Sequence, residues 1–148
     1  MLTSTKKLPE ISEGLISFVL RNYIVVGFWA TVLNGYSYPC FEAPLTVVTN
    51  DSFFKDYQDV VVNYVYIPSY NKSVGIVDGL TSSERTICDF LMYPKELGAG
   101  VYMPDIMEGY NEENDGDFSK VYDMMAELGI ERSKLDYWLE HLDEYIDE

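Results

Sequence analysis

Histidine, cysteine and basic side chains are scarce in this 148-residue chain, which has one, two and ten of them respectively. The single histidine, His141, stands between Glu140 and Leu142 with no partner at a recognisable spacing. It reads as an exposed helical residue, and catalysis of the Ser-His-Asp or Cys-His kind lacks its base. There is no G-x-S-x-G elbow, no phosphate-binding G-x-x-x-x-G-K-[ST] loop and no G-x-G-x-x-G turn. Cys40 and Cys88 lie far apart and form no C-x-x-C or metal-spaced set. Buried free thiols in a reducing compartment are the better reading. Long apolar runs are also missing, so no membrane-spanning segment is expected. The apolar run after Lys6 and Lys7 is broken by Glu10, Glu13 and Gly14, with no small-residue cleavage site following. No signal peptide is expected, and the cytoplasm is the expected location.

The shortage of cations bears directly on partners. A phosphate backbone must be neutralised by Lys and Arg. Ten of these stand against twenty-five Asp and Glu, for a formal charge of −15. Direct DNA binding is therefore not expected. The imbalance is also uneven. Residues 1–74 hold five basic and six acidic side chains, a net of −1, whereas residues 75–148 hold five and nineteen, a net of −14. So acidic a half repels nucleic acid and attracts basic partners.

What the chain does have is apolar and aromatic material. Hydrophobic residues make up 47% and charged residues 24%, an ordinary globular balance. Thirteen Tyr, seven Phe and two Trp supply a dense core or a partner surface. Ile11, Leu15, Phe18 and Val19 recur at helical spacing between Glu10 and Asn22, with Ser12 available as a cap. Tyr23–Val26 is a short β-branched run, and 27–34 a short helix closed by Asn34-Gly35. Residues 45–49 and 60–67 read as strands. The second (VVVNYVYI) is apolar on both faces, which fits a strand inside a sheet covered on both sides. Residues 73–78 read as one more short strand. Thr81-Ser-Ser-Glu84 is a capping-box pattern opening a helix to about Tyr93, where Pro94 stops it. Pro104 is expected to open a short helix through Tyr110. Two amphipathic helices follow, over 118–128 and 135–146.

The fold expected is α/β (α+β): one compact domain over 1–148, with a small mixed sheet and its helices in 1–80 and a helical lobe in 81–148. On the last helix Asp136, Glu140, Asp143, Glu144 and Asp147 project about 140° away from the apolar stripe, at about 100° per residue. This side serves either as a solvated face or as a docking face for a basic partner.

Two chemical patterns fail on inspection. The loop 111–117 (NEENDGD) places Asn111, Glu113 and Asp115 like the first ligands of a calcium loop. The twelfth position, which should be a bidentate Glu, is Tyr122. Residues 24–35 resemble the strand-to-helix opening of antitoxin-partnered nucleotidyltransferases. Those enzymes need a following D-x-D pair for metal ions, and here Asp51 stands alone.

Residues 81–97 (TSSERTICDFLMYPKEL) carry a more specific element. Glu84, Arg85, Thr86, Ile87 and Asp89 resemble the signature of the AbiEi family of antitoxins. There a Ser/Pro-Glu-Arg-Thr/Ala element opens a helix and is followed by an apolar residue, a variable position and Asp. The resemblance extends over roughly residues 20–146 through the order of strands and helices. Family members carry an N-terminal winged helix-turn-helix, whereas only about twenty residues precede the matching segment here. The resemblance thus implies a C-terminal antitoxin domain without that DNA-binding module. Its implied activity is non-enzymatic neutralisation of a nucleotidyltransferase toxin, with no cofactor and no metal. The partner-binding candidates are Glu84, Arg85, Asp89, Asp136, Glu140, Asp143, Glu144 and Asp147. The same motif also has a purely structural reading: Thr81 and Glu84 cap the helix, Ile87, Phe90 and Leu91 bury its stripe, and Arg85 and Asp89 form an i,i+4 pair that is weak in this order. Two rivals stand beside the antitoxin. One is an acidic phage or mobile-element inhibitor that mimics nucleic acid before a basic enzyme. The other is an enzyme with a cleft of convergent polar groups.

Overall fold

Ser12 starts the first helix as its position suggests: its hydroxyl accepts the Leu15 N–H, and α1 runs Glu13–Asn22. The computed structural model describes residues 11–35, 43–59 and 61–142. After α1 come β1 (Ile24–Val26), α2 (Gly27–Leu33), β2 (Leu45–Thr49), a 3-10 turn at Ser52–Phe54 and β3 (Val62–Tyr66). Then follow β4 (Ile76–Val77), β5 (Leu80–Thr81), α3 (Ser83–Met92), α4 (Pro94–Leu97), α5 (Ala99–Glu113), α6 (Ser119–Leu128) and α7 (Ser133–Glu140). The mixed α/β class expected from the sequence is the class observed.

The five strands form one mixed sheet in the order β3-β2-β1-β5-β4. β1 runs antiparallel to β2 and parallel to β5, β2 runs parallel to β3, and β4 is antiparallel to β5. Because side chains alternate across a strand, each strand feeds two layers. Val25, Leu45, Val47 and Val62 pack with Val19 of α1 and Trp29 of α2. Val26, Val48, Val65 and Ile67 belong to a second cluster with Ile87, Phe90, Met103, Met107, Val121, Met125 and Leu135. That cluster takes residues from both halves of the chain, so sheet and helical lobe share a core.

Several local expectations need correction. The apolar run around β3 is covered on both faces, but the strand lies at the edge of the sheet rather than inside it. The expected strand over 73–78 shrinks to β4, because Asp78 (φ 53°) and Gly79 (φ 79°) form a tight turn into β5. Positive φ at both central residues is what a two-residue hairpin of matching twist requires. Thr81 is not the cap of α3 but a residue of β5, and the capping hydroxyl belongs to Ser82, which accepts the Arg85 N–H. Pro104 does not open a helix. It lies inside α5, which begins after Gly98 in the left-handed conformation. Burial of Met103, Ile106, Met107 and Tyr110 along one stripe outweighs the hydrogen bond the proline removes. Asn111–Glu113 are the last turn of α5 rather than loop. The last helix starts at Ser133, and its expected continuation over 143–146 lies outside the described residues, as does Cys40.

Gly79 also explains how α1 and the hairpin come together. A Cβ there would stand 2.0 Å from the Leu20 carbonyl oxygen, and the Gly79 carbonyl accepts the Val25 N–H at 2.8 Å. Gly35 has a similar φ of 85°, but among the described residues nothing lies within 4 Å of a Cβ there. Gly35→Ala should cost about 1–3 kcal/mol for the backbone conformation alone. Gly79→Ala should cost clearly more, because the backbone of α1 must also move. Urea denaturation of the two variants checks the order, and equal losses would contradict it.

Candidate functional site

The signature element lies at the N-terminal half of α3, and docking α3 removes most of it from water. Arg85, Thr86 and Asp89 are each 0% exposed. Arg85 Nε donates to Asp89 Oδ1 at 2.8 Å, and the Tyr70 hydroxyl donates to Asp89 Oδ2 at 2.6 Å. Arg85 Nη1 donates to the Val74 carbonyl at 2.6 Å, and the guanidinium lies 4.4 Å from the centre of the Tyr70 ring. Its Nη2 has no hydrogen-bond partner among the described residues. Gly75 lets the 71–79 segment close over this node, since a Cβ there would meet the Arg85 Cβ at 2.7 Å.

The neighbouring signature residues are held as firmly. The Thr86 hydroxyl donates to the Ser82 carbonyl and lies 2.8 Å from the Thr81 hydroxyl, which reaches the Val25 carbonyl of β1. Glu84 is half-buried and accepts the Tyr110 hydroxyl of α5 at 2.8 Å. It does not close a capping box. Every polar residue of the element is therefore tied to a partner outside α3.

Electrostatics follow from burial. Loss of water pushes the Asp89 carboxyl up to about 6, against the opposing pull of Arg85 and of the hydrogen bonds from Tyr70 and Arg85. Burial and the adjacent Asp89 raise the Tyr70 phenol well above its usual range. Burial likewise pushes the free Cys88 thiol up to about 12, which leaves it a packing group rather than a nucleophile.

These positions alter the list of partner-binding candidates. Arg85 and Asp89 offer no surface to a partner, so they act as positioning residues inside the fold. The weak pair expected at i,i+4 is instead a fully buried ion pair. Asp136 is exposed and accepts the Tyr122 hydroxyl, while the Arg132 guanidinium lies 3.9 Å from the Tyr122 ring centre, linking α6 to α7. Burial, then the bond to Asp136, pushes the Tyr122 phenol up to about 12. Glu140 is exposed at the end of α7, whereas Asp143, Glu144 and Asp147 lie outside the described residues. Asp123, Glu127 and Glu131 are exposed on α6 and just beyond it, further acidic surface that helical spacing over 118–128 already implies.

Two of the surface concavities differ in lining. An apolar groove of about 440 Å³ runs between Phe90, Leu91, Pro94, Ala99, Tyr137 and Trp138. A more polar one of about 330 Å³ lies at the strand ends beside Arg21, Tyr23, Asn50 and Lys72. Among the described residues no three His, Cys, Asp or Glu side chains are grouped to hold a metal ion, and no helix is long and apolar enough to cross a membrane. Fold and node together define a mixed α/β protein in which a buried ion pair of α3 is bound by hydrogen bonds to the connection between β3 and β4. Comparison with protein-family models, with curated proteins and with solved structures found no match.

Removing one partner of a buried pair strands the other charge, so Arg85→Met should cost about 3–5 kcal/mol at pH 7.5. The folded-state pKa of Asp89, about 6, lies above its ordinary 3.8, so the folded protein takes up this proton first. The resulting contribution to stability is complete below the ordinary value and is lost as pH rises through 6. Arg85→Met removes the main influence holding that pKa down. The variant should therefore recover stability between pH 7.5 and pH 5 by more than the parent does, and Arg85→Met/Asp89→Leu should be more stable than Arg85→Met alone. Chemical denaturation at the two pH values measures both, and parallel pH profiles for parent and variant would refute the coupling.

Proposed function

We propose that this chain is a non-enzymatic, cytoplasmic, antitoxin-like protein of the AbiEi kind that counteracts a nucleotidyltransferase toxin. One observation supports the reading above the rest. The polar side chains of the Glu84-Arg85-Thr86-x-x-Asp89 element are engaged by Tyr70 and Val74 of the β3–β4 connection, Thr81 of β5 and Tyr110 of α5, three separate segments. An element bound into the fold at that many points belongs to the architecture, so likeness in the element supports likeness in the fold that carries it.

The charge distribution supplies the means of action. A toxin that handles nucleotides or RNA presents cations to phosphate, and the −14 half of this chain is drawn to such a surface. Neutralisation then proceeds by contact with the toxin or by competition with its substrate. The reading predicts a nucleotidyltransferase gene beside this one, and co-expression of the two should restore growth that the enzyme alone arrests. Cultures that stay as sick as those with the enzyme alone would defeat the proposal.

The exposed carboxylates of Asp123, Glu127, Glu131 and Glu140 favour a second reading, an acidic inhibitor from a phage or mobile element that occupies the nucleic-acid site of a basic enzyme. It calls for affinity that falls steeply with salt. Changing Glu140, Asp143, Glu144 and Asp147 to Lys should weaken binding by about tenfold or more. A salt-insensitive affinity that survives the reversal excludes the mimic.

A further inference from the structure

β3 closes one side of the sheet, and its outer edge carries unused backbone groups. Ile67 N–H donates to the Thr49 carbonyl of β2 at 2.9 Å. Backbone groups alternate in direction along a strand, so Asn63, Val65 and Ile67 face β2 while Tyr64 and Tyr66 direct N–H and C=O away from the sheet. Among the described residues nothing pairs with those outward groups. Edge strands that must stay single carry lysine, proline, a bulge or a cover. Residues 61–67 (VVNYVYI) contain no charge, no proline and no glycine.

We propose that this edge pairs with β3 of a second copy of the chain, antiparallel about a two-fold axis at Val65, to make one continuous ten-stranded sheet. In that register Tyr64 faces Tyr66 of the second copy on both sides of the axis, and four N–H···O bonds form. The ladder ends cleanly at the next pair, Val62 opposite Pro68. The Val62 N–H is already taken by the Asp59 carboxylate at 3.2 Å, and proline has no N–H to leave unsatisfied. The Tyr64 and Tyr66 rings share a face, so the pairing adds cross-strand aromatic contacts. Apolar surface flanks the edge on that face: Phe53 is 68% and Tyr57 39% exposed, with the Tyr57 ring 5.4 Å from that of Tyr64.

Charge selects this edge over other surfaces for self-association. Residues 1–74, to which β3 belongs, carry a net of −1, and residues 75–148 carry −14. Residues 61–67 carry no charge, so pairing two copies along β3 sets no like charges opposite each other in the ladder. The inference is independent of the toxin-directed reading.

Light scattering and sedimentation of the full chain, carried from low to high micromolar concentration, should show twice the 17.0 kDa mass of one chain. Two variants address the edge. Asn63→Lys adds the charge such edges normally carry, at an exposed position. Tyr66→Pro removes an outward N–H and leaves the β2 ladder intact. Each should raise the dissociation constant by about tenfold or more. In the parent chain, hydrogen exchange at the Tyr64 and Tyr66 amides should slow as concentration rises, while the Val65 amide stays protected throughout. Should Tyr66→Pro fail to fold, Asn63→Lys and the exchange data still decide. A parent chain that is monomeric at every concentration, which would leave the edge to a strand from another protein, overturns the proposal. A dimer that persists in the folded variants overturns it too.

Discussion

The buried Arg85–Asp89 pair is the constraint around which the rest of the molecule is arranged. Two charges taken out of water cost several kcal/mol each, and only close geometry with further hydrogen bonds offsets that loss. Here the offset comes from outside the helix that carries them. Tyr70 supplies a hydroxyl to the carboxylate and a ring face to the guanidinium, and the Val74 carbonyl accepts a further N–H. These bonds form only when α3 and the connection between β3 and β4 occupy these positions together. A wrong packing would strand two charges, so the node rewards one arrangement and penalises its neighbours.

Fixing α3 fixes the two layers above it. Thr86 ties its first turn to β5 and β1, Glu84 ties it to α5, and its apolar stripe carries Ile87 and Phe90 into the cluster that unites sheet and helices. The acidic residues are then distributed over α5, α6 and α7 on the outside of a lobe that is rigid at its base. An electrostatic surface of this kind steers a basic partner best when it does not have to be ordered on binding. The sheet half of the chain has the reverse character: little net charge, many aromatic rings and a strand edge with free backbone groups. The two surfaces thus suit different kinds of contact.

Much of the local structure is legible in the sequence because short-range chemistry decides it. Ser12 caps α1, Gly129 ends α6 in the left-handed conformation, and β2 and β3 follow their β-branched and aromatic runs. The Asp78-Gly79 dipeptide between Ile76-Val77 and Leu80-Thr81 is a known hairpin-turn signal, and it divides what reads as one short strand over 73–78 from β5. Thr81 and Ser82 are both competent caps, and the local pattern does not choose between them. Strand pairing does, by drawing Thr81 into β5. Pro104 misleads for a similar reason: its local preference for a helix start yields to the burial of a long apolar stripe.

The amino-acid sequence by itself determined the class of fold, the start of α1, the charge split between the halves and the presence of the Glu-Arg-Thr-x-x-Asp element. All of these depend on composition or on residues within one turn of each other. Tertiary structure alone decided that Arg85 and Asp89 are inside, that β3 is an edge and that Thr81 is a strand residue. Each of those outcomes depends on partners supplied by distant segments. Burial and strand order are properties of the packed chain, and an i,i+4 pair reads the same in sequence whether water or a tyrosine lies against it.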